Sequence, residues 1–293
     1  MLPNLASFGR HLRAANKSPL TIKSYTEAIR QLDAFLAARG MPRAVAVVRR
    51  EHLETFIEDQ LARLRPASAA NRYRSLQQFF RWLVDEGEIR DTPMAKMKPP
   101  TVPDEPPTVL TDADLAGLWK VTAGTTFDER RDRAILRLLL DSGIRRAELA
   151  GLRLEDVDRD QDVVLVMGKG RRPRTVPYDR ETARDLDRYI DRARKAHPHA
   201  DEPWLWLGKK GRLTETGIAQ LLRRRGREAG LAGLHPHLFR HTFAHRELAR
   251  GMQETDLMRI AGWRSRQMVA RYGASAGHER AIAAYRTLRD RDR

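Results

Sequence analysis

A run of prolines divides the chain and limits what it can fold into. Five prolines fall within residues 99–107 of this 293-residue sequence. Proline has no backbone N–H and clashes with a preceding helical turn, so this stretch cannot be helical and forms a stiff, extended linker. A chain of this length suits two hydrophobic cores better than one. We therefore predict two domains, residues 1–98 and residues 109–293, joined by a proline-rich linker at 99–108.

The segment before the linker has the apolar spacing of short amphipathic helices. Apolar side chains recur every three or four residues from Leu5 to Leu83, and the repeat is interrupted at Ser18-Pro19, at Gly40 and at Gly87. Serine followed by proline is typical of a helix start, and glycine is typical of a helix end. We predict four short helices that pack into a small bundle.

The segment after the linker combines helices with one small sheet. A capping pair predicts a helix start near residue 112, and the apolar pattern of residues 130–141 predicts a nearly all-buried helix. Residues 163–167 and 174–177 are rich in β-branched side chains and flank a glycine turn at 168–170, which indicates a small antiparallel sheet. The remainder again predicts helices and turns.

The charge of the chain is strongly positive and is spread along its whole length. Lys and Arg number 55 against 39 Asp and Glu, which gives a formal net charge of +16. Residues 1–100 contribute 17 minus 10, or +7, and the rest therefore contributes +9. Such a field favours a polyanionic partner such as nucleic acid, although arginine-rich solvated helix faces would give the same count.

The composition also excludes several classes of protein. The sequence contains no cysteine, so disulfides, thiolate nucleophiles and cysteine-bound zinc are ruled out. No apolar run approaches the roughly 18–20 residues that a membrane span needs. The first residues lack the long apolar core of a signal peptide. We expect a cytoplasmic protein with no membrane partner.

The second half of the chain holds the residue types that are needed to cut a DNA phosphate without a metal. Two guanidinium groups can hold the non-bridging oxygens of one phosphate, a phenol can attack the phosphorus, and an ammonium or imidazole group can move protons. These residues are Arg145, Lys169, His237, Arg240 and Tyr272, with Trp263 nine residues before the tyrosine. Each residue alone has an ordinary structural explanation, but the set in this order does not.

Four short motifs carry these residues: Gly143-Ile-Arg145, Gly168-Lys169-Gly170, His237-Leu-Phe-Arg240 and Gly262-Trp263 followed by Tyr272. Together they resemble the tyrosine recombinase, or phage integrase, family. The resemblance implies a mainly α fold: an N-terminal, four-helix, SAM-like core-binding domain and an α-rich catalytic domain with a small three-stranded antiparallel sheet. It also implies that the two domains close around duplex DNA as a C-shaped clamp.

The resemblance implies a role for each motif residue. Tyr272 attacks the scissile phosphorus, which forms a 3′-phosphotyrosyl bond and frees a 5′-hydroxyl. Arg145 and Arg240 hold the phosphate, Lys169 donates a proton to the leaving oxygen, and His237 assists proton transfer. Because the phosphotyrosyl bond keeps the energy of the phosphodiester, rejoining needs no metal, no ATP and no other cofactor.

Several neighbouring residues need separate interpretation. Trp263 stands where most family members carry a histidine, and an indole donates a hydrogen bond but cannot shuttle protons. Arg146 and Tyr285 are the nearest alternatives to Arg145 and Tyr272, and the family pattern selects the latter pair. Glu148 is interpreted as orienting a guanidinium group or the local backbone, and not as a base.

A metal site is the alternative explanation for the histidines around Arg240. His237, His241 and His245 recur every four residues, a spacing that zinc sites use. The glutamate expected between such histidines is missing, and Arg240 would repel a cation. We therefore predict no metal here and interpret His241 as a residue that supports the site from inside.

The sequence also suggests DNA contacts and partners. The predicted backbone contacts are Arg171, Arg172 and Arg174 in the hairpin, and Arg72, Arg74 and Gln77 in the last helix of the first domain. The resemblance implies a double-stranded recombination site, a homotetramer on synapsed DNA that is monomeric or dimeric when free, and an accessory DNA-bending or directionality factor. It implies a bacterial cytoplasmic location, nucleoid-associated when bound.

Three functions remain open from the sequence. A site-specific recombinase would serve integration or excision of a mobile element, or dimer resolution. A type IB topoisomerase would use almost the same chemistry on any supercoiled DNA. A non-enzymatic DNA-binding regulator would explain the charge and the helices but not the motif residues.

Overall fold

Two units, Met1–Asp104 and Glu105–Arg293, make up the structure, and each has its own hydrophobic core. The computed structural model describes residues 1–103, 105, 107–168, 172–263, 265–272, 277, 282 and 285. Among these residues, no helix is both long and apolar enough to cross a membrane.

The first unit is a bundle of four helices: α1 (Leu2–Ala14), α2 (Pro19–Ala38), α3 (Arg50–Arg63) and α4 (Pro66–Asp85). Ser18 caps α2 by accepting a hydrogen bond from the backbone N–H of Thr21, and proline occupies the first position of the helix. Phe8, Leu32 and Phe79 are among the fully buried side chains of this core. The four predicted helices are therefore confirmed.

The second unit is also mostly helical. Its helices are α5 (Asp112–Val121), α6 (Phe127–Ser142), α7 (Arg146–Ala150), α8 (Arg180–Asp187), α9 (Glu215–Glu228), α10 (Pro236–Ala249) and α11 (Glu254–Ala261). A π-helical segment, Arg188–Arg194, continues from α8, and residues 266–272 are helical as well. Helix α6 lies in the middle of this core, which explains its nearly all-apolar pattern.

A three-stranded antiparallel sheet covers one side of this core, in the order β1 (Val157–Asp158), β2 (Val163–Met167) and β3 (Pro173–Pro177). In the β2–β3 hairpin, Val164 pairs with Val176 and both are buried. The alternation of buried and exposed residues follows from the two-residue period of a strand. The mainly α fold with one small three-stranded antiparallel sheet, which the sequence predicted, is confirmed.

One part of the prediction for the second unit was wrong. Beyond residue 180 the sequence predicted only helices and turns, but the structure contains a further hairpin of β4 (Leu207–Gly208) and β5 (Gly211–Arg212). Each strand is only two residues long, which is too short to produce a detectable alternation of apolar and polar residues.

Helix α6 ends at Gly143, and this ending directs the chain toward the candidate site. Gly143 has a φ of 53°, in the left-handed region that glycine adopts at little cost. A Cβ atom at this position would lie 2.4 Å from Cδ1 of Phe243 in α10, so a larger residue would not fit. The chain then continues through Ile144 to Arg145, which caps α7.

Candidate active site

Arg145 lies between the end of α6 and the start of α7 and is held by two acceptors. Its Nη1 donates to Oε1 of Glu148 at 2.9 Å, and its Nη2 donates to the carbonyl oxygen of Gly262 at 2.9 Å. The backbone N–H of Arg145 donates to Oε2 of the same glutamate at 2.9 Å. The side chain is 38% exposed, so its guanidinium is oriented and remains accessible.

Glu148 also accepts two hydrogen bonds from Arg174 of β3. Nη1 and Nη2 of Arg174 reach the two carboxylate oxygens at 2.9 and 2.8 Å, which is a bidentate pair. Burial alone would raise the pKa of Glu148, but the hydrogen bonds from Arg174 and Arg145 outweigh it and lower the pKa to about 2. The glutamate is therefore ionised at neutral pH and fixes both guanidinium groups.

The end of α11 supplies a second set of acceptors for the arginines. Three successive carbonyl oxygens, which we call the carbonyl array, each accept one hydrogen bond: Ile260 from Nε of Arg174 at 2.8 Å, Ala261 from Nη2 of Arg240 at 2.6 Å, and Gly262 from Nη2 of Arg145 at 2.9 Å. The C-terminal end of a helix carries partial negative charge, which favours cations. The carbonyl array therefore brings three guanidinium groups together.

Arg240 is the buried member of the three arginines. Its side chain lies in α10, and its Nη1 donates to the carbonyl oxygen of Gly143 at 2.6 Å. Burial, with a smaller contribution from the positive charge of Arg145, lowers its pKa to about 10. Arg240 therefore keeps its charge at neutral pH, and its guanidinium carbon lies 4.9 Å from the centre of the Trp263 ring.

Tyr272 lies against the same tryptophan in a separate apolar cluster. The rings of Trp263 and Tyr272 are stacked, with centroids 5.5 Å apart and an interplanar angle of 4°. Phe243, Leu257 and Val269 complete the surroundings, and Tyr272 is only 2% exposed. Burial raises the pKa of the phenol, and the positive charges of Arg240 and Arg271 oppose this rise. The phenol is therefore protonated at neutral pH.

Two histidines of α10 lie beside this cluster. The hydroxyl of Tyr272 forms a hydrogen bond with Nδ1 of His241, and His237 lies one helical turn earlier, with ring centroids 6.4 Å apart. Partial desolvation of the ring and the neighbouring charges of His235 and Arg240 lower the pKa of His237. Across the described residues, no group of three His, Asp or Glu side chains is arranged to hold a metal ion.

A cleft of about 730 Å³ opens beside the arginines. Its lining includes Arg145, Arg172, Arg174 and Arg259 together with the ring of Trp263. Tyr272 is not among the described residues that line this cleft. The cleft is therefore suited to an anion. The phenol of Tyr272 lies behind the ring of Trp263, which lines the cleft.

Comparison with known proteins identifies the family. The family model described as "Phage integrase family" matches residues 109–279, and the model described as "Phage integrase, N-terminal SAM-like domain" matches residues 5–88. The chain belongs to the phage integrase family. Its members are tyrosine recombinases, which cut and rejoin DNA strands.

Relatives of similar length agree with this assignment. The chain is 31% identical over 280 residues to tyrosine recombinase XerC of Myxococcus xanthus, with 92% of each chain covered. It is 32% identical over 266 residues to tyrosine recombinase XerC of Salmonella typhi, with 86% of this chain and 85% of the relative covered.

Solved structures share the fold at lower sequence identity. The XerH site-specific recombinase bound to its palindromic difH substrate has a TM-score of 0.75 at 17% identity and covers 96% of this chain and 83% of its own. The Tn1549 transposon integrase in complex with transposon right end DNA has a TM-score of 0.75 at 21% identity. The match covers 97% of this chain and 98% of the integrase chain.

Most of the motif residues of this tyrosine recombinase meet in one network. Trp263 contacts both Arg240 and Tyr272, and the residue before it accepts from Arg145. His237 lies at the exposed start of α10. Two of the predicted residues, Lys169 and Arg171, lie outside the described residues.

Arg174 differs most from its expected position. The sequence suggested a DNA backbone contact, but all three of its guanidinium nitrogens donate within the protein and the side chain is 14% exposed. In β3 it lies two residues before the buried Val176, so it shares the inward face of the strand. That alternation was visible in the sequence and could have identified Arg174 as part of the site.

The other predicted DNA contacts have mixed exposure. Arg172 is exposed and lines the cleft. On α4, Arg74 is exposed, whereas Arg72 and Gln77 are half-buried. Sequence reasoning also missed His241 as the direct partner of the tyrosine hydroxyl. Its spacing of four residues from His237 was the available signal.

Proposed function

We propose that this tyrosine recombinase cleaves DNA through Tyr272 and forms a 3′-phosphotyrosyl intermediate. The phenolic oxygen attacks the scissile phosphorus, the bond to the 5′-oxygen breaks, and a free 5′-hydroxyl remains. The observation that carries the proposal is the contact of Trp263 with both Tyr272 and Arg240. This contact joins a nucleophile to a phosphate-binding group in one packed cluster. DNA binding has to bring the scissile phosphate to the phenolic oxygen, because Tyr272 is buried against Trp263, whose ring lines the cleft.

The arginines supply the electrostatic part of the mechanism. Arg145 and Arg240 hold the non-bridging oxygens and stabilise the negative charge that builds up on the pentacovalent phosphorus. Their guanidinium groups are already oriented by Glu148 and the carbonyl array, so little reorganisation is needed during the reaction. Within the described residues, the buried Nε1–H of Trp263 has no hydrogen-bond partner and is available to a phosphate oxygen.

Proton transfer to the leaving group is assigned from the family resemblance. Lys169 donates a proton to the departing 5′-oxygen, and His237 assists at the start of α10. The lowered pKa of His237 keeps most of its imidazole neutral at pH 7, so it can accept a proton. Because the phosphotyrosyl bond preserves the energy of the phosphodiester, the 5′-hydroxyl of a partner strand can reverse the reaction.

The substrate in this proposal is a double-stranded recombination site. The net charge of +16 favours a polyanion. Of the similar folds, the XerH recombinase was solved bound to its difH substrate and the Tn1549 integrase in complex with transposon right end DNA. Residues 1–98 contribute the core-binding domain and residues 109–293 the catalytic domain. The exposed Arg74 and Arg172 contact the DNA backbone. Four protomers assemble on two synapsed sites, with an accessory DNA-bending or directionality factor.

In the cell the proposed role is integration and excision of a mobile element or resolution of DNA dimers, at the bacterial nucleoid. Two other functions are disfavoured by the match to tyrosine recombinases over most of the chain. They are a topoisomerase that relaxes any supercoiled DNA and a regulator without catalytic activity.

A pool of nicked duplexes with a randomised central sequence separates these functions. The nick traps a covalent protein–DNA adduct, which is recovered under denaturing conditions and sequenced. Enrichment of one sequence supports the recombinase, adducts on every sequence indicate a topoisomerase, and no adduct indicates a DNA-binding regulator. Tyr272→Phe should abolish the adduct and keep DNA affinity, and Tyr285→Phe, at a tyrosine that is 59% exposed, is the matched control.

A further inference from the structure

The hydroxyl of Tyr272 is in contact with a group that could remove its proton. Nδ1 of His241 shares a hydrogen bond with this hydroxyl, and the two ring centroids are 5.5 Å apart. His241 directly follows Arg240 in α10 and is half-buried, whereas Tyr272 is 2% exposed. The imidazole therefore links the buried phenol to α10, the helix that also carries Arg240.

Attack on phosphorus requires that the phenol lose its proton, and most nearby groups cannot accept it. Arg145 and Arg240 remain protonated, and the indole of Trp263 is a donor only. His237 is also a neutral imidazole, but it lies one helical turn before His241, whose Nδ1 forms the hydrogen bond with the hydroxyl. Burial raises the pKa of Tyr272, so free phenolate is scarce at neutral pH. An imidazole in direct hydrogen-bond contact meets the geometric requirement for a general base.

The surroundings of His241 keep the imidazole neutral before DNA binds. Burial and the neighbouring groups His237, His235, Arg240 and Arg271 lower its pKa to about 4. A base with so low a pKa is weak, but a phosphate bound at Arg240 brings negative charge that opposes these positive neighbours. DNA binding therefore raises the affinity of the imidazole for a proton when that proton has to be accepted.

We infer that His241 is the general base that takes the proton of Tyr272 during strand cleavage. This assignment rests on the proposed function. The proton passes from the phenolic oxygen to Nδ1, the new O–P bond forms, the bond to the 5′-oxygen breaks, and Lys169 protonates the leaving oxygen. In the rejoining step a 5′-hydroxyl attacks phosphorus and gives its proton to the neutral Lys169, the bond to Tyr272 breaks, and the imidazolium returns its proton to the phenolate.

The same contact has a second explanation, in which His241 only anchors the phenol in its buried position. The two explanations differ in their consequences for rate and pH. An anchor slows the departure of Tyr272, so its removal speeds cleavage or leaves it unchanged. A base accelerates the chemical step, so its removal slows cleavage and makes the rate depend on the ionisation of the phenol.

The test measures single-turnover formation of the covalent adduct on the nicked site recovered from the randomised pool. The variants are His241→Gln, which keeps a hydrogen-bond acceptor but cannot take a proton, and His241→Ala, assayed with and without added imidazole. His199→Gln, in the loop before β4, is the matched control. DNA affinity of each variant, measured in the same buffer, reports whether it is folded.

We expect His241→Gln to cleave roughly 100-fold more slowly than the wild type, with unchanged DNA affinity, and His199→Gln to match the wild type. Between about pH 7 and about pH 9 the cleavage rate of the wild type should not change with pH. In the same window the rate of His241→Gln should rise about tenfold per pH unit. Added imidazole should restore part of the rate of His241→Ala.

Three results would overturn the assignment of His241. They are a rate of either variant equal to or above that of the wild type, a pH profile of His241→Gln that parallels the wild type, and no response of His241→Ala to imidazole. If His241→Ala does not fold, the rate and pH profile of His241→Gln distinguish a general base from an anchor. Failure of the proposed function is separate: the wild type would form no adduct, or Tyr272→Phe would still form one.

Discussion

The three arginines of the candidate active site and its tyrosine are held in different ways. Arg145, Arg174 and Arg240 form an arginine half, in which Glu148 and the carbonyl array accept their hydrogen bonds. The tyrosine half consists of Tyr272 and the aromatic and aliphatic side chains around it, with a hydrogen bond to His241. Directional hydrogen bonds fix the guanidinium groups, whereas the tyrosine is held mainly by packing and by one hydrogen bond.

This difference assigns separate tasks to the two halves. An anion-binding group is most effective when it is oriented before the substrate arrives, because no reorganisation is then needed during the reaction. A nucleophile that can attack the phosphodiester backbone does not react prematurely if it stays buried until DNA is bound. The arginine half should therefore stabilise the transition state, and the tyrosine half should control when the nucleophile is exposed to the phosphate and, through His241, its loss of a proton.

The largest effect is expected from removing a phosphate-binding arginine. Arg145→Ala should slow adduct formation about 1000-fold, because one preorganised charge-assisted donor to the transition state is lost. Arg146→Ala is the matched control, since Arg146 is the next residue and pairs with Glu215 at 3.2 Å. Single-turnover cleavage at saturating DNA measures both variants. Equal losses in the two variants would mean that the effect is general positive charge and not a specific contact.

Loss of the shared carboxylate should affect stability more than any other single change in the arginine half. Glu148→Gln leaves two guanidinium groups without their counter-charge, which should lower the free energy of unfolding by about 3 kcal/mol. Urea unfolding at neutral pH measures this change. A variant as stable as the wild type would show that solvent compensates the two arginines and that the network is not structural.

The same carboxylate predicts an acid dependence of stability. Its pKa is lowered to about 2 in the folded protein from an ordinary value of 4.5, so folding favours the ionised form. The stabilisation is complete above pH 4.5 and is lost as pH falls from there toward 2. Wild-type protein should lose stability over this window relative to Glu148→Gln, and parallel curves for the two proteins would contradict the assignment.

Arg174 should affect cleavage rate without affecting DNA affinity. Arg174→Lys keeps the charge but loses the bidentate pair with Glu148 and the contact with Ile260, so the other guanidinium groups are less well oriented. We expect cleavage to slow about 10- to 100-fold. Arg180→Lys, at the exposed first residue of α8, is the matched control and should cleave at the wild-type rate. A loss of affinity in Arg174→Lys instead would return Arg174 to the role of a DNA contact.

The smallest effect is expected at Trp263, the residue that contacts both halves. Trp263→Phe keeps an aromatic ring against Tyr272 but removes the indole N–H, so about one hydrogen bond to phosphate is lost and cleavage should slow about tenfold. Trp263→Ala should in addition free Tyr272, which an increase in its solvent accessibility to nitration would report. If Trp263→Phe cleaves at the wild-type rate, the indole N–H has no role in phosphate binding.

Much of the fold could be predicted because its signals are local. The apolar run of α6 and the paired β-branched residues of β2 and β3 each reflect burial of one continuous segment. The hairpin of β4 and β5 was missed because two-residue strands leave no periodic pattern. Its position depends on contacts with other parts of the chain that a local pattern does not contain.

The candidate site was predictable as a set of residues but not as a set of contacts. Motif order selected Arg145, Arg240 and Tyr272 as candidates, whereas the hydrogen bonds of Arg174 to Glu148 and Ile260 join residues far apart in sequence. The contact of Tyr272 with His241 likewise depends on how residues 266–272 return to α10. Such pairings arise from the tertiary structure, so the residues could be identified from sequence while their partners could not.

Peptide mapping of the covalent adduct tests the central claim most directly. The adduct on the enriched nicked site is digested with protease and nuclease, and the nucleotide-bearing peptide is sequenced by mass spectrometry. We expect the nucleotide on the phenolic oxygen of Tyr272, with the phosphate joined through its 3′ side. A nucleotide on another side chain, Tyr285 included, or the absence of any modified peptide, would contradict the account.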